Sequence, residues 1–136
     1  MQVFIDTNIF LYAAGASHPL REGCANVLRR VADGSLDATI NSELVQEILY
    51  MLARRGRRDD ALKLAGHLTS LFPDLLAVTR ADVVKACRLL RQYPGLSVRD
   101  AVHVATMLGN GLKTVVSVDP DFDQVSDIRR VAPDAV

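Results

Sequence analysis

The sequence predicts an α/β domain with a central, mostly parallel sheet of four to five short strands flanked by helices. Three observations carry this. Short apolar runs such as Val3-Phe4-Ile5 and Val115-Val116-Ser117-Val118 alternate with longer segments of helical periodicity. These runs are apolar on both faces, as expected of strands buried between helical layers. At 136 residues and 14.9 kDa, residues 1–136 form one domain long enough for a real core.

Each element has its own signal. Val3 to Asp6 reads as a strand, and Asn8 to Ala14 as a short helix closed by Gly15. His18 to Ala32 carries an apolar stripe of Leu20, Cys24, Val27, Leu28 and Val31, with Gly34 as its stop. Asp37 to Ile40 is a second strand. Ser42 to Arg55 is a helix, capped by Asn41 or Ser42 and closed by Gly56. Arg58 to Leu71 is another helix, ended by Phe72-Pro73. Leu75 to Val78 reads as a third strand. Thr79 and Asp82 have capping-box spacing and open a helix to Gln92, which Tyr93-Pro94-Gly95 breaks. Ser97 and Asp100 repeat that spacing and open a helix to Leu108. Thr114 to Val118 is a fourth strand and Ile128 to Val131 a fifth.

Composition narrows the function classes. Hydrophobic content is 49% and charged content 24%, normal for a globular protein. No apolar run approaches the roughly 20 residues of a membrane span, and the N-terminus has no basic n-region of a signal peptide. Cys24 and Cys87 are isolated, which predicts reduced thiols in a cytoplasmic protein. No Cys/His cluster has zinc spacing. Net charge is zero, which argues against binding a polyanion by bulk charge. It leaves room for a nucleic-acid enzyme whose acidic pocket is offset by metal.

Four acids stand out against aliphatic surroundings. Asp6 ends Val3-Phe4-Ile5, and Glu47 lies within Leu44 to Leu49. Asp100 precedes Ala101-Val102, and Asp119 ends Val115 to Val118. A carboxylate packed among aliphatic side chains is costly unless something pairs with it. Four in one small domain point to convergence on a cation. Asp6 and Asp119 would sit at carboxyl ends of strands, where open parallel sheets bind ligands. Hard cations such as Mg²⁺ and Mn²⁺ prefer oxygen ligands.

Phe4-Ile5-Asp6-Thr7-Asn8, Asn41 to Leu49, Ser97 to Ala105 and Val116 to Phe122 resemble, in order, the motifs of PIN-domain proteins, specifically the VapC toxins of toxin–antitoxin pairs. The likeness covers nearly the whole chain. Each motif alone is weak; the ordered set is fairly specific. The resemblance implies a single PIN domain and an Mg²⁺- or Mn²⁺-dependent ribonuclease. It makes Asp6, Glu47, Asp100 and Asp119 the acidic quartet, with Asp6 and Asp100 as principal ligands. Thr7, Asn8 and Ser117 become supporting polar residues; Ser117 stands where the family usually has Thr. RNA is then the substrate, a cognate antitoxin covers the pocket, and the chain forms a homodimer. A PIN-like binding module without catalysis and a stand-alone RNA-processing nuclease are the alternatives.

Each residue also has a structural role to weigh. Asp6 can cap the following helix, and Asp100 fits the reciprocal position of a capping box. Glu43 shares a helical face with Glu47 but lies in the first turn, where the dipole alone favours an acid. Asp119, Asp121 and Asp123 alternate as in a calcium loop, yet Gln124 and Arg130 stand where that loop needs Gly and Glu. Asp121 is secondary and Asp123 reads as a turn or helix cap. His103, one turn beyond Asp100, reads as a partly buried histidine. Arg54-Arg55-Gly56-Arg57-Arg58 is either a solvated helix end or a phosphate-contacting patch.

Overall fold

The strand β1 (Val3–Ile5) divides the molecule into two cores. Successive strand side chains point to opposite faces. Val3 and Ile5 join one apolar cluster, with Ile9, Phe10, Val27, Leu44, Ile48 and Leu68. Phe4 joins the other, with Leu89, Val104, Met107, Val115 and Phe122. The computed structural model describes residues 1–136.

Along the chain, β1 is followed by α1 (Thr7–Ala14), α2 (Arg21–Ala32), β2 (Ala38–Thr39), α3 (Ser42–Arg54) and α4 (Arg58–Leu71). Then come α5 (Arg80–Gln92), α6 (Val98–Gly109), β3 (Thr114–Val116) and β4 (Arg129–Val131). The sheet order is β2-β1-β3-β4, and all three pairings are parallel. Helices α1 to α4 cover one face and α5 with α6 the other, the layering expected of strands apolar on both sides.

Local chemistry explains the helix starts. Asp6 caps α1 by accepting the Thr7 N–H at 2.8 Å. Asn41 caps α3 by accepting the Leu44 N–H at 2.9 Å. Thr79 and Asp82 form the full capping box at α5. At α6 only half of the box forms: Ser97 Oγ accepts the Asp100 N–H at 3.1 Å, with no return bond from the carboxylate. Gly56, at φ +74°, takes the left-handed conformation that ends α3.

Two strand expectations are corrected. Leu75 to Val78 is not a strand but a single parallel bridge between Asn41 and Leu76. The bridge lies beyond the end of β2, where Asn41 already turns into α3, so the ladder has nowhere to extend. The strand expected over Thr114 to Val118 ends at Val116. Ser117 N–H still bonds Val131 O at 3.1 Å, but β4 stops there and offers no further partner.

Candidate metal centre

From β1 the chain moves outward to β2, then returns to lay β3 on the other side of β1. Such a reversal opens a crevice outside the carboxyl ends of the two adjacent strands. Asp6 directly follows β1. Ser117 and Asp119 follow β3.

Asp6 is only 4% exposed. Its Oδ1 accepts the Thr7 N–H, and its Oδ2 accepts the Ser117 hydroxyl at 2.7 Å. Ser117 Oγ itself accepts from Asn8 Nδ2 at 3.2 Å and from the Asp119 N–H at 3.0 Å. A hydroxyl has one proton and two acceptor positions. Since two partners are donors, the proton belongs to Asp6. This also fixes the Asn8 amide with Nδ2 toward Ser117, leaving its Oδ1 buried without a partner.

Glu47 reaches the crevice from the middle of α3. Thr7 Oγ1 donates to its Oε2 at 3.0 Å, and Arg99 Nη1 lies 3.3 Å from its Oε1. Glu43, one turn earlier, makes none of these contacts. His103 is completely buried against Phe4, with ring centroids 5.3 Å apart. Asn41 Oδ1 is committed to the Leu44 N–H, so its NH₂ faces His103 Nδ1 at 3.1 Å and Thr106 Oγ1 at 3.2 Å. Nδ1 therefore accepts, and the neutral ring carries its proton on Nε2. That atom lies 3.5 Å from Glu47 Oε2 and has no hydrogen-bond partner.

Electrostatics register the crowding. Burial first, and then the nearby Asp6 and Asp119 charges, together raise the Asp100 carboxyl to about 7. Burial also raises Asp6, against the downward pull of the Ser117 donor. For Glu47, burial pushes upward, but the His103 Nε2–H that faces it, the Thr7 hydroxyl and Arg99 outweigh it and hold the carboxyl below its ordinary value. Asp119 is half-buried, and its Oδ1 accepts the Asp121 N–H at 2.9 Å.

The four acids come from four separate segments and are linked by charge, Glu47 acting on Asp6 and both Asp6 and Asp119 on Asp100, but they do not make a closed cage. No group of three or more Asp, Glu, His or Cys side chains is placed to hold a metal ion. Calcium, which takes six to eight oxygens, and structural zinc, which takes four ligands, are poorly matched. Mg²⁺ and Mn²⁺ suit oxygen ligands, and Mg²⁺ typically uses one or two carboxylates and keeps several waters. An open, all-oxygen crevice with the unpartnered Asn8 Oδ1 beside it fits those ions.

Among the other acids, Asp121 is exposed. Asp123 forms a two-point ion pair with Arg130, both contacts at 2.9 Å, and Arg130 Nη1 also bonds Ser117 O at 3.2 Å. Asp123 therefore braces the loop that carries Ser117. Sequence reasoning missed Arg99 and Asn41 as parts of the site, and treated His103 only as partly buried. Asn41 was visible solely as a helix cap; its second role needs a residue 62 positions away.

A parallel sheet with this strand order, and acids in this sequence around its switch point, define the class. Residues 3–128 match the PIN domain family model, and the chain belongs to that family. Ribonuclease VapC7 of Mycobacterium tuberculosis is 35% identical over 139 residues, covering 98% of this chain and 92% of the relative. Ribonuclease VapC13 of the same organism is 30% identical, covering 96% and 99%. Among solved structures, VapBC2 from Rickettsia felis, bound to a promoter DNA fragment, superposes with a TM-score of 0.76 at 15% identity, covering 97% and 98%. Mycobacterium tuberculosis VapC20, described as a sarcin-ricin loop cleaving toxin, gives 0.74 at 20%, covering 91% and 95%. No helix is long and apolar enough to cross a membrane.

Proposed function

We propose that the protein is a divalent-metal-dependent endoribonuclease, the toxin of a toxin–antitoxin pair. One observation carries the reading: Asp6, Glu47, Asp100 and Asp119 stand on four separate segments yet act on one another's ionisation, Glu47 on Asp6 and both Asp6 and Asp119 on Asp100. The ribonuclease names of relatives at 30–35% identity support it.

In this reading Asp6 and Asp100 are the principal ligands of Mg²⁺ or Mn²⁺. Glu47 binds directly or through water, and Asp119 completes the pocket or supports a second ion. When bound, the ion supplies water activation and charge stabilisation at the phosphodiester. The chain's residues do the rest. Thr7 N–H and Ser117 hold both Asp6 oxygens in one orientation. Glu47, kept ionised by its donors, takes up the proton of the attacking water at its carboxylate. The substrate is RNA. A cognate antitoxin that covers the crevice belongs to the same reading, supported by neighbours solved as VapBC proteins; a homodimer and a cytoplasmic location complete the proposal.

The test is RNA cleavage by purified protein in Mg²⁺ or Mn²⁺. Cleavage should stop in EDTA and fall at least a hundredfold in Asp6→Asn and in Asp100→Asn. Cleavage indifferent to both substitutions rejects the assignment.

A further inference from the structure

We propose that Arg54, Arg55 and Arg99 form a phosphate-binding subsite that takes the RNA backbone beside the acidic crevice; the identity of the ligand rests on the ribonuclease reading above. Arg54, Arg55 and Arg99 line one open cavity of about 420 Å³ together with Tyr50 and Met51. No acid lines it. The ion pairs of the chain engage Arg29, Arg57, Arg99 and Arg130, and leave Arg54 and Arg55 without a carboxylate.

Arg54 and Arg55 carry uncompensated charge on one cavity, with the Glu47-paired Arg99 beside them, and an anion placed there is attracted to both. The planar guanidinium fork matches two oxygens of a phosphate. Arg54 is already oriented: its Nη1 donates to Tyr50 Oη at 2.9 Å, and its guanidinium carbon lies 5.9 Å from the Tyr50 ring centroid. Arg99 joins the cavity to the crevice. Its Nη1 lies 3.3 Å from Glu47 Oε1 and 3.9 Å from Met51 Sδ. Arg54 stands seven positions after Glu47 on α3, about 10 Å along the helix axis. A backbone entering over the arginines therefore reaches the acids without leaving the surface.

The basic cluster splits in the fold. Arg57 pairs with Asp60 at 3.0 Å, and Arg58 lines a different concavity with Asp59 and Asp60. Of the four clustered arginines only Arg57 has an ion-pair partner, and Arg55 borders both the acid-free cavity and a second one that Asp60 lines, so local positive charge survives in a chain of zero net charge.

The experiment has two arms. In EDTA, anisotropy of a labelled single-stranded RNA oligonucleotide is measured against salt for the wild type, Arg54→Gln/Arg55→Gln and Arg58→Gln. The double variant should bind about tenfold more weakly, with a log–log salt slope reduced by about 1–2. Arg58→Gln should match the wild type. Unchanged affinity and slope in the double variant overturn the subsite, as does a loss of binding accompanied by a change in oligomeric mass, which would assign the arginines to contact between copies. Should the double variant misfold, Arg55→Gln alone is read the same way, with about half the effect. The second arm is cleavage in Mn²⁺. Wild-type protein that binds through the arginines but cleaves no RNA contradicts the ribonuclease reading and leaves the subsite standing.

Discussion

Ser117 gives its only hydroxyl proton to Asp6 Oδ2 at 2.7 Å, because its two other partners, Asn8 Nδ2 and the Asp119 N–H, are both donors. The bond joins the residues after β1 and β3 across the switch point of the sheet, and it fixes the buried carboxylate most central to the crevice.

Ser117→Ala should therefore act on stability and on metal together. It strips an acceptor from two donors and a donor from Asp6. Loss of buried hydrogen-bond partners costs about 1–3 kcal/mol. Thermal denaturation should show the loss, and calorimetry should show weaker Mn²⁺ binding. Ser117→Thr retains the hydroxyl and should restore both. A Thr variant as impaired as the Ala variant would show that the hydroxyl is not what matters.

The metal-free protein should lose stability as pH rises through neutrality. Asp100 is raised to about 7 when folded, from an ordinary value of 3.8. Between those values the folded state binds more protons than the unfolded one, so stability falls with rising pH and levels off above about 7. After roughly halving for partial solvent exposure, the change between pH 5.5 and 7.5 is about 1 kcal/mol. Asp6 shifts the same way. Glu47, lowered, acts in the opposite sense but only below its ordinary value of 4.5, outside this window. Asp100→Asn should flatten most of the dependence in denaturant titrations; an equally steep profile in the variant would contradict the assignment.

Asn41→Asp separates two roles of one side chain. The carboxylate can still accept the Leu44 N–H and start α3, but it cannot donate to His103 Nδ1 or Thr106 Oγ1. The neutral Nε2–H ring is no longer enforced. Ring ¹⁵N shifts of His103 should change while the helix content stays constant. Cleavage should fall about tenfold or more through Glu47, whose Oε2 faces that ring. Unchanged imidazole shifts would show that Asn41 does not set the tautomer.

Glu47→Gln and Glu43→Gln should differ sharply. Glu47 has Thr7, Arg99 and His103 around its carboxylate. The first substitution should reduce kcat at least a hundredfold, and the second should leave it within about twofold. Equal losses in the two variants would undo the distinction.

Much of this was legible from residue order, and the exceptions share a cause. Asp6, Asp100 and Asp119 were visible because each sits where a strand or helix boundary meets aliphatic neighbours. The layering was visible because β1 is apolar at every position and β3 at all but Thr114. Leu75 to Val78 looked like a strand because its composition is that of one; whether it pairs depends on how far β2 extends before Asn41 starts α3. The Asn41–His103–Glu47 chain was hidden because each link crosses tens of residues, and Asn41 already had a sufficient local explanation as a cap. Arg99 was hidden likewise, since its partner Glu47 lies 52 residues away. Local signals reveal where charge is placed, and only the fold reveals what it meets.

The central claim, that these acids hold a catalytic divalent ion, is tested most directly by calorimetric titration of Mn²⁺ into metal-free protein at pH 7.5, with Asp6→Asn/Asp100→Asn as the control. The account predicts saturable binding to the wild type at concentrations that support cleavage, and loss of that binding in the folded double variant. Cleavage by the wild type with no measurable Mn²⁺ binding, or equal binding by both proteins, would contradict it.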